Sequence, residues 1–128
     1  MRCLLDSHAF LWFVHGDRRL GKGARETIED SRNQILLSTA SLWELAIKVS
    51  LDKLELKESI PDLVSRWIVG NQIRLLTIEP RHVFRLTDLP FHHRDPFDRM
   101  IIAQAMVEGI PVVSDDGDFR EYSVQIIW

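Results

Sequence analysis

The sequence predicts a single α/β domain, a central and mostly parallel sheet with helices on both faces. Three observations predict it. Runs that are apolar throughout, such as Cys3-Leu4-Leu5 and Ile35-Leu36-Leu37, have the pattern of strands buried on both sides. Segments with helical spacing alternate with those runs, the order expected of parallel strands joined by crossover helices. The 128 residues and 14.9 kDa fit one compact domain, 1–128, without internal repeat or linker.

Each element has its own signal. Arg2–Leu5 is a buried strand that ends at Asp6, and Ser7 is the expected cap of a helix reaching Val14 before Gly16-Asp17. Residues 25–30 are helical in pattern, and 35–38 form the second strand. A helix over 40–51 places Leu42, Leu45, Ala46 and Val49 at core spacing. Ser59 before Pro61 opens the next helix, because proline is tolerated in the first turn; it carries Leu63, Val64, Trp67 and Ile68 and stops near Gly70. Residues 74–78 are the third strand, Pro80–Leu86 a short helix, and 89–95 a loop. Pro96 starts a helix to Glu108 with Ile101, Ile102, Ala105 and Met106 facing inward, and 111–114 and 124–127 are the last strands. The first helix is apolar nearly all round through Phe10, Leu11, Trp12, Phe13 and Val14, so part of it is expected to meet another protein; the Leu63/Trp67 helix joins it as a candidate surface only for the partners that the resemblance described below implies. The four tryptophans are expected in the core.

Composition sets outer bounds. With 45% hydrophobic and 27% charged residues the chain is ordinary for a globular protein, not a disordered or low-complexity one. Sixteen Lys and Arg against nineteen Asp and Glu give a formal charge of -3, which argues against coating nucleic acid by bulk positive charge. It does not argue against an enzyme that acts on nucleic acid. The lone Cys3 forms neither an internal disulfide nor a cysteine zinc site. No apolar run approaches the roughly 20 residues of a membrane helix, and Asp6 falls too early for a signal-peptide core. A cytoplasmic protein is expected.

Where the acids sit carries the functional information. Open parallel sheets place their sites at the carboxyl ends of strands. Asp6 closes the first strand, and Asp115, Asp116 and Asp118 follow the Val112-Val113 strand. Glu44 lies one turn into the helix after the second strand, while Asp95 and Asp98 flank the helix opened by Pro96. Carboxylates brought that close raise one another's pKa unless a cation lies among them. An oxygen-only cluster suits Mg²⁺ or Mn²⁺ better than Zn²⁺. Structural roles compete for the same residues. Ser41-x-x-Glu44 reads as a capping box, Asp95 as a helix cap with Asp98 favoured by the helix dipole, and Asp115-Asp116-Gly117-Asp118 as a turn. Asp6 has no such role once Ser7 is taken as the cap, and an unpaired buried carboxylate is costly. His92-His93-x-Asp95 hints at zinc, but adjacent loop histidines rarely converge on one ion; surface or substrate contact is the simpler reading.

These blocks carry a resemblance. Leu4-Leu5-Asp6-Ser7-His8-Ala9, Ser41-Leu42-Trp43-Glu44-Leu45-Ala46-Ile47-Lys48, His93-Arg94-Asp95-Pro96-Phe97-Asp98-Arg99 and Val113-Ser114-Asp115-Asp116 to Phe119 resemble PIN-domain ribonucleases. Within that family they look like the VapC-type toxins of toxin–antitoxin systems, in order across essentially the whole chain. The resemblance implies a PIN-like fold with Asp6, Glu44, Asp98 and Asp116 as the acidic metal-binding positions. Asp115 and Asp118 are accessory candidates, with Asp118 ahead, and Asp95 is the helix cap. Ser114 matches the family's usual hydroxyl two residues before the last acid. It further implies a Mg²⁺-dependent endoribonuclease, with Mn²⁺ as a possible substitute, in which a metal-activated water attacks the phosphorus. Arg99, Lys48 and Arg94 are the candidates to hold phosphates near the site, with plain solvated charge as the competing reading of all three. A homodimer and a cognate antitoxin are implied as partners, beside the RNA substrate.

Other classes fit less well. A dehalogenase-type phosphatase needs a second Asp two residues after the first, where this chain has His8. A phosphoacceptor receiver domain needs its acids in other places. The rival is a catalytically weak PIN-like module that binds RNA or protein, which would be expected to lack one of the four acids.

Overall fold

The computed structural model describes residues 1–70 and 72–128. The strands are β1 (Arg2–Leu5), β2 (Gln34–Ser38), β3 (Ile73–Leu76), β4 (Val112–Val113) and β5 (Ile126–Ile127). They form one sheet in the order β3-β2-β1-β4-β5, every neighbouring pair parallel. The helices are α1 (Ser7–Val14), α2 (Lys22–Glu29), α3 (Thr39–Ser50), α4 (Ile60–Val64), α5 (Pro80–Leu86) and α6 (Pro96–Glu108). The α/β reading with a parallel sheet holds.

Alternation along the strands makes two cores. Cys3 and Leu5 of β1, Ile35 and Leu37 of β2 and Val113 of β4 point to one face, where they pack with Phe10, Leu45 and Leu63. Leu4, Leu36 and Val112 point to the other and meet Ile101, Ile102, Ala105 and Phe119. Side chains on both faces need apolar cover, which is why these strands are continuous hydrophobic runs. Gly109 closes α6 with φ at +67°, a left-handed conformation that costs a glycine almost nothing.

Four local expectations change. The cap of α1 is Asp6, not Ser7, because the Asp6 carboxylate accepts from the Ala9 amide at 2.7 Å while Ser7 is already helical. The cap of α3 is Ser38, whose hydroxyl accepts from the Ala40 amide, so Ser41 lies inside the helix and forms no capping box with Glu44. The segment read as one helix over 61–70 is α4 followed by a single π-helical turn, Ser65–Val69, closed by the Gly70 amide donating to the Ser65 carbonyl at 3.0 Å. Glycine is required there, since a Cβ would lie 2.4 Å from the Arg66 carbonyl oxygen. On α3, Leu45 is buried as expected, but Ala46 and Val49 are exposed.

The apolar girdle of α1 is covered from within. Trp12 sits edge-on to Trp128 and Phe13 edge-on to Trp67, ring centroids 5.7 and 5.5 Å apart. Leu63 is fully buried. Neither α1 nor the Leu63/Trp67 segment is therefore the open apolar surface the sequence led us to expect. Trp43, at 62% exposure, is the tryptophan that leaves the core.

Candidate active site

Strand order reverses between β1 and β4, and the crevice outside the carboxyl ends at such a switch point is where open α/β sheets place their ligands. Two of the candidate acids follow those strands. Asp6 leaves β1 with its amide bonded to the Val113 carbonyl of β4 at 3.1 Å. Asp116 lies just past β4, its amide bonded to the Ser114 hydroxyl at 3.0 Å. Asp116 in turn accepts from the Asp118 amide and so caps the 3-10 turn Gly117–Glu121. A cavity of about 300 Å³ opens here, walled by Asp6, Asp115 and Asp116 together with His8 and Trp12. Asp115, rather than Asp118, shares that wall.

Helices bring the other two. Glu44 is buried on α3, with Oε1 accepting from the Ser7 hydroxyl at 2.7 Å and Oε2 3.0 Å from Lys48 Nζ one turn later. Ser41 Oγ stands 3.1 Å from Ser7 Oγ. Asp98 lies in the first turn of α6, whose cap Asp95 accepts from the Phe97 and Asp98 amides. A capping role for Asp95 is thereby observed, whereas neither Glu44 nor Asp98 has its carboxylate on a helix-end amide.

Electrostatics ties the acids into one group. Burial and then the charges of Asp95, Glu44, Asp116 and Asp6 push the Asp98 carboxyl up to about 8. Burial raises Asp6 as well, while bonds from the Ser114 hydroxyl and the Ala9 amide, and the nearby His8, pull it part of the way back. Four carboxylates, one from its own helix start and three from separate stretches of chain, thus add to burial in raising the proton affinity of Asp98. Among the described residues no three are gathered tightly enough to cage an ion as they stand. The donors nevertheless fit a hard divalent cation. They are all oxygens, and the burial and carboxylate repulsion that raise Asp98 are what such a charge offsets.

The profile of the PIN domain matches residues 3–125. The chain belongs to the PIN domain family. No curated protein matches it. Solved structures do, and this PIN domain is similar to a chain of the VapBC2 complex of Rickettsia felis bound to a promoter DNA fragment, at 16% identity and TM-score 0.72 over 98% of this chain and 97% of that one. The DNA-bound VapBC of Salmonella typhimurium matches at 17% identity and TM-score 0.69, over 98% and 96%. VapC20 of Mycobacterium tuberculosis, a toxin that cleaves the sarcin-ricin loop, matches at 15% and 0.68 over 95% of each chain. Such identities show a shared fold.

The basic residues of this PIN domain divide. Lys48 stands at the acids through Glu44, and Arg94 is exposed at the start of α6. Arg99 does not join them as a phosphate holder. Its guanidinium is buried and donates to the Pro90 carbonyl at 2.7 Å, the Leu89 carbonyl at 3.1 Å and the Tyr122 hydroxyl at 3.2 Å, with the Phe91 ring 3.8 Å away. Guanidinium only donates, so the Tyr122 oxygen accepts and its own proton is free for His93 Nδ1, 2.9 Å away. In the tautomer in which His93 Nδ1 accepts from Tyr122, the ring proton on Nε2 lies on the side of Asp98, with the nitrogen 3.6 Å from Asp98 Oδ2. That nitrogen is buried and has no hydrogen-bond partner of its own. The sequence reads His93 as a surface or substrate-contact group; in the structure its ring is half-buried between Tyr122 and Asp98. Only the contact with Tyr122, 29 positions away, reveals it.

Proposed function

We propose that this PIN domain is a Mg²⁺-dependent endoribonuclease and the toxin of a toxin–antitoxin pair. The observation that carries the reading is the convergence of Asp6, Glu44, Asp98 and Asp116 at the switch point, with Asp98 pushed up to about 8 by burial and its neighbours. These four would hold the cation, with Asp115 as the accessory ligand. Bound there, Mg²⁺ or Mn²⁺ supplies an activated water and a charge to stabilise the leaving 3′ oxygen. Ser7 orients Glu44, the Ser114 hydroxyl steadies Asp6, and Asp95 sets the first turn of α6 that carries Asp98. Lys48 and Arg94 would bind the phosphates flanking the scissile bond. Support for an antitoxin partner comes from the fold shared with chains of VapBC complexes. A homodimer and a cytoplasmic setting complete the proposal.

RNA cleavage by the purified chain should need added Mg²⁺ and stop in EDTA. Asp6→Asn should lower the rate by at least about a hundredfold at saturating metal. Full activity in that variant, or in EDTA, would remove the reading; RNA binding without cleavage would leave a binding module. A smaller effect is expected at Ser7→Ala, which strips Glu44 Oε1 of its donor. The Mg²⁺ concentration for half-maximal cleavage should rise by about tenfold, as for lost partners of metal ligands elsewhere.

A further inference from the structure

A second cavity, of about 420 Å³, shares His8 and Trp12 with the acid-walled one, so the two form a continuous trough. Its character is opposite. Five of its lining residues are basic or imidazole groups: His8, His15, Arg19, Lys48 and Lys53. Of its charged groups, Asp17 pairs with Arg19 at 2.7 Å and Lys48 pairs with Glu44 at 3.0 Å, which leaves Lys53 and Glu55 without an ion-pair partner among the described residues. The floor is aromatic. The His8 ring lies 5.7 Å from the ring of Trp12, and the Arg19 guanidinium lies 4.9 Å from it. Lys53 is held in place by backbone: its amide donates to the Lys48 carbonyl at 2.9 Å after a turn in which Asp52 has φ of +55°. Its side chain is exposed and forms no ion pair among the described residues.

We propose that this trough is the path of an unpaired RNA strand leading to the acids, with a base against Trp12 and the backbone phosphates along His15, Arg19 and Lys53. The inference rests on the nuclease reading for its direction, since the strand must end at the carboxylates. A basic groove with an aromatic floor is what single-stranded nucleic acid requires, because phosphates repeat along the strand and each base offers a stacking face. An acidic protein segment would use the cations alone, whereas a nucleotide strand also uses an aromatic ring, here one backed by the Arg19 guanidinium.

The test is a fluorescence-anisotropy titration of a labelled twelve-nucleotide oligouridylate, with both arms in an Asp98→Asn background so that the strand survives. Lys53→Glu should weaken binding by about tenfold at low salt and make the salt dependence of log Kd shallower by about one. Its melting temperature should not move, and Lys53→Gln should fall between. Equal affinities and equal salt slopes would overturn the proposal. So would an oligoglutamate that binds where oligouridylate does not, because the trough would then be a protein-docking site. Binding that depends on Lys53 in a protein whose wild type leaves RNA intact would remove the nuclease reading and keep the trough. Metal-dependent cleavage with binding indifferent to Lys53 would do the reverse.

Discussion

Asp98→Asn is expected to lose RNA cleavage by about a thousandfold and, in EDTA at pH 8, to be more stable than the wild type. The first effect is the loss of a metal ligand that also carries charge. The second follows from linkage. Asp98 titrates near its ordinary value of 3.8 in the unfolded chain and is pushed up to about 8 in the folded one. Between those values the native state holds a proton that the unfolded state has released, so stability falls as the pH rises. The cost is absent below about pH 4, grows from there to about 8, and is complete above. With the carboxyl mostly buried it amounts to a few kcal/mol on the order-of-magnitude scale of such shifts. Asparagine has no charge to release, so the stability of the variant should fall less over the same range, the remaining slope coming from Asp6, whose carboxyl burial also raises. Mg²⁺ should then raise the melting temperature of the wild type at pH 8 much more than that of Asp98→Asn, because ligand binding stabilises only the state that binds it. Thermal melts at pH 5 and 8, with EDTA and with Mg²⁺, check all four combinations. A wild type that grows more stable with pH in EDTA would contradict the assigned repulsion.

Much of this was legible in the sequence, and the reason is local. A strand buried on both faces must be apolar throughout, so Cys3-Leu4-Leu5 and Ile35-Leu36-Leu37 announce themselves, and an acid directly after such a run has few places to point. What escaped depends on contacts between distant residues. Ser38, Thr39 and Ser41 can each cap a helix; pairing of β2 with β1 through Leu37 and with β3 through Ser38 decides where α3 starts, and that decision removed the capping role from Glu44. The apolar surround of α1 looked like an interface because Trp67 and Trp128, its actual cover, lie 54 or more positions further on. Asp115 and Asp118 are indistinguishable as letters, and only the direction of the 3-10 turn puts Asp115 on the cavity wall.

The residue at which sequence and structure disagree most also gives the sharpest stability test. Arg99 sits one position after Asp98, and the sequence offers it either as a phosphate holder or as a solvated charge. In the structure it bridges the loop before α6 to Tyr122, with three acceptors on a buried guanidinium. Arg99→Leu keeps much of the side chain's bulk and removes the donors. The Leu89 and Pro90 carbonyls and the Tyr122 hydroxyl would each lose a partner, at about 1–3 kcal/mol for each that water does not reach. We therefore expect a loss of roughly 3–5 kcal/mol, the range for breaking a buried charged network, with the urea midpoint lowered and the m-value unchanged. Arg99→Lys should recover little, because one ammonium on a flexible stem cannot hold three acceptors in the places a planar fork does. At a temperature where the variant is still folded, kcat should fall more than KM rises. The Arg99–Tyr122–His93 chain supports Asp98, and Asp98 belongs to the chemistry; phosphate binding in the ground state would appear in KM. A variant with unaltered stability and a KM for RNA raised by tenfold or more would return Arg99 to the substrate, and the strut behind Asp98 would have to be assigned to His93 and Tyr122 alone.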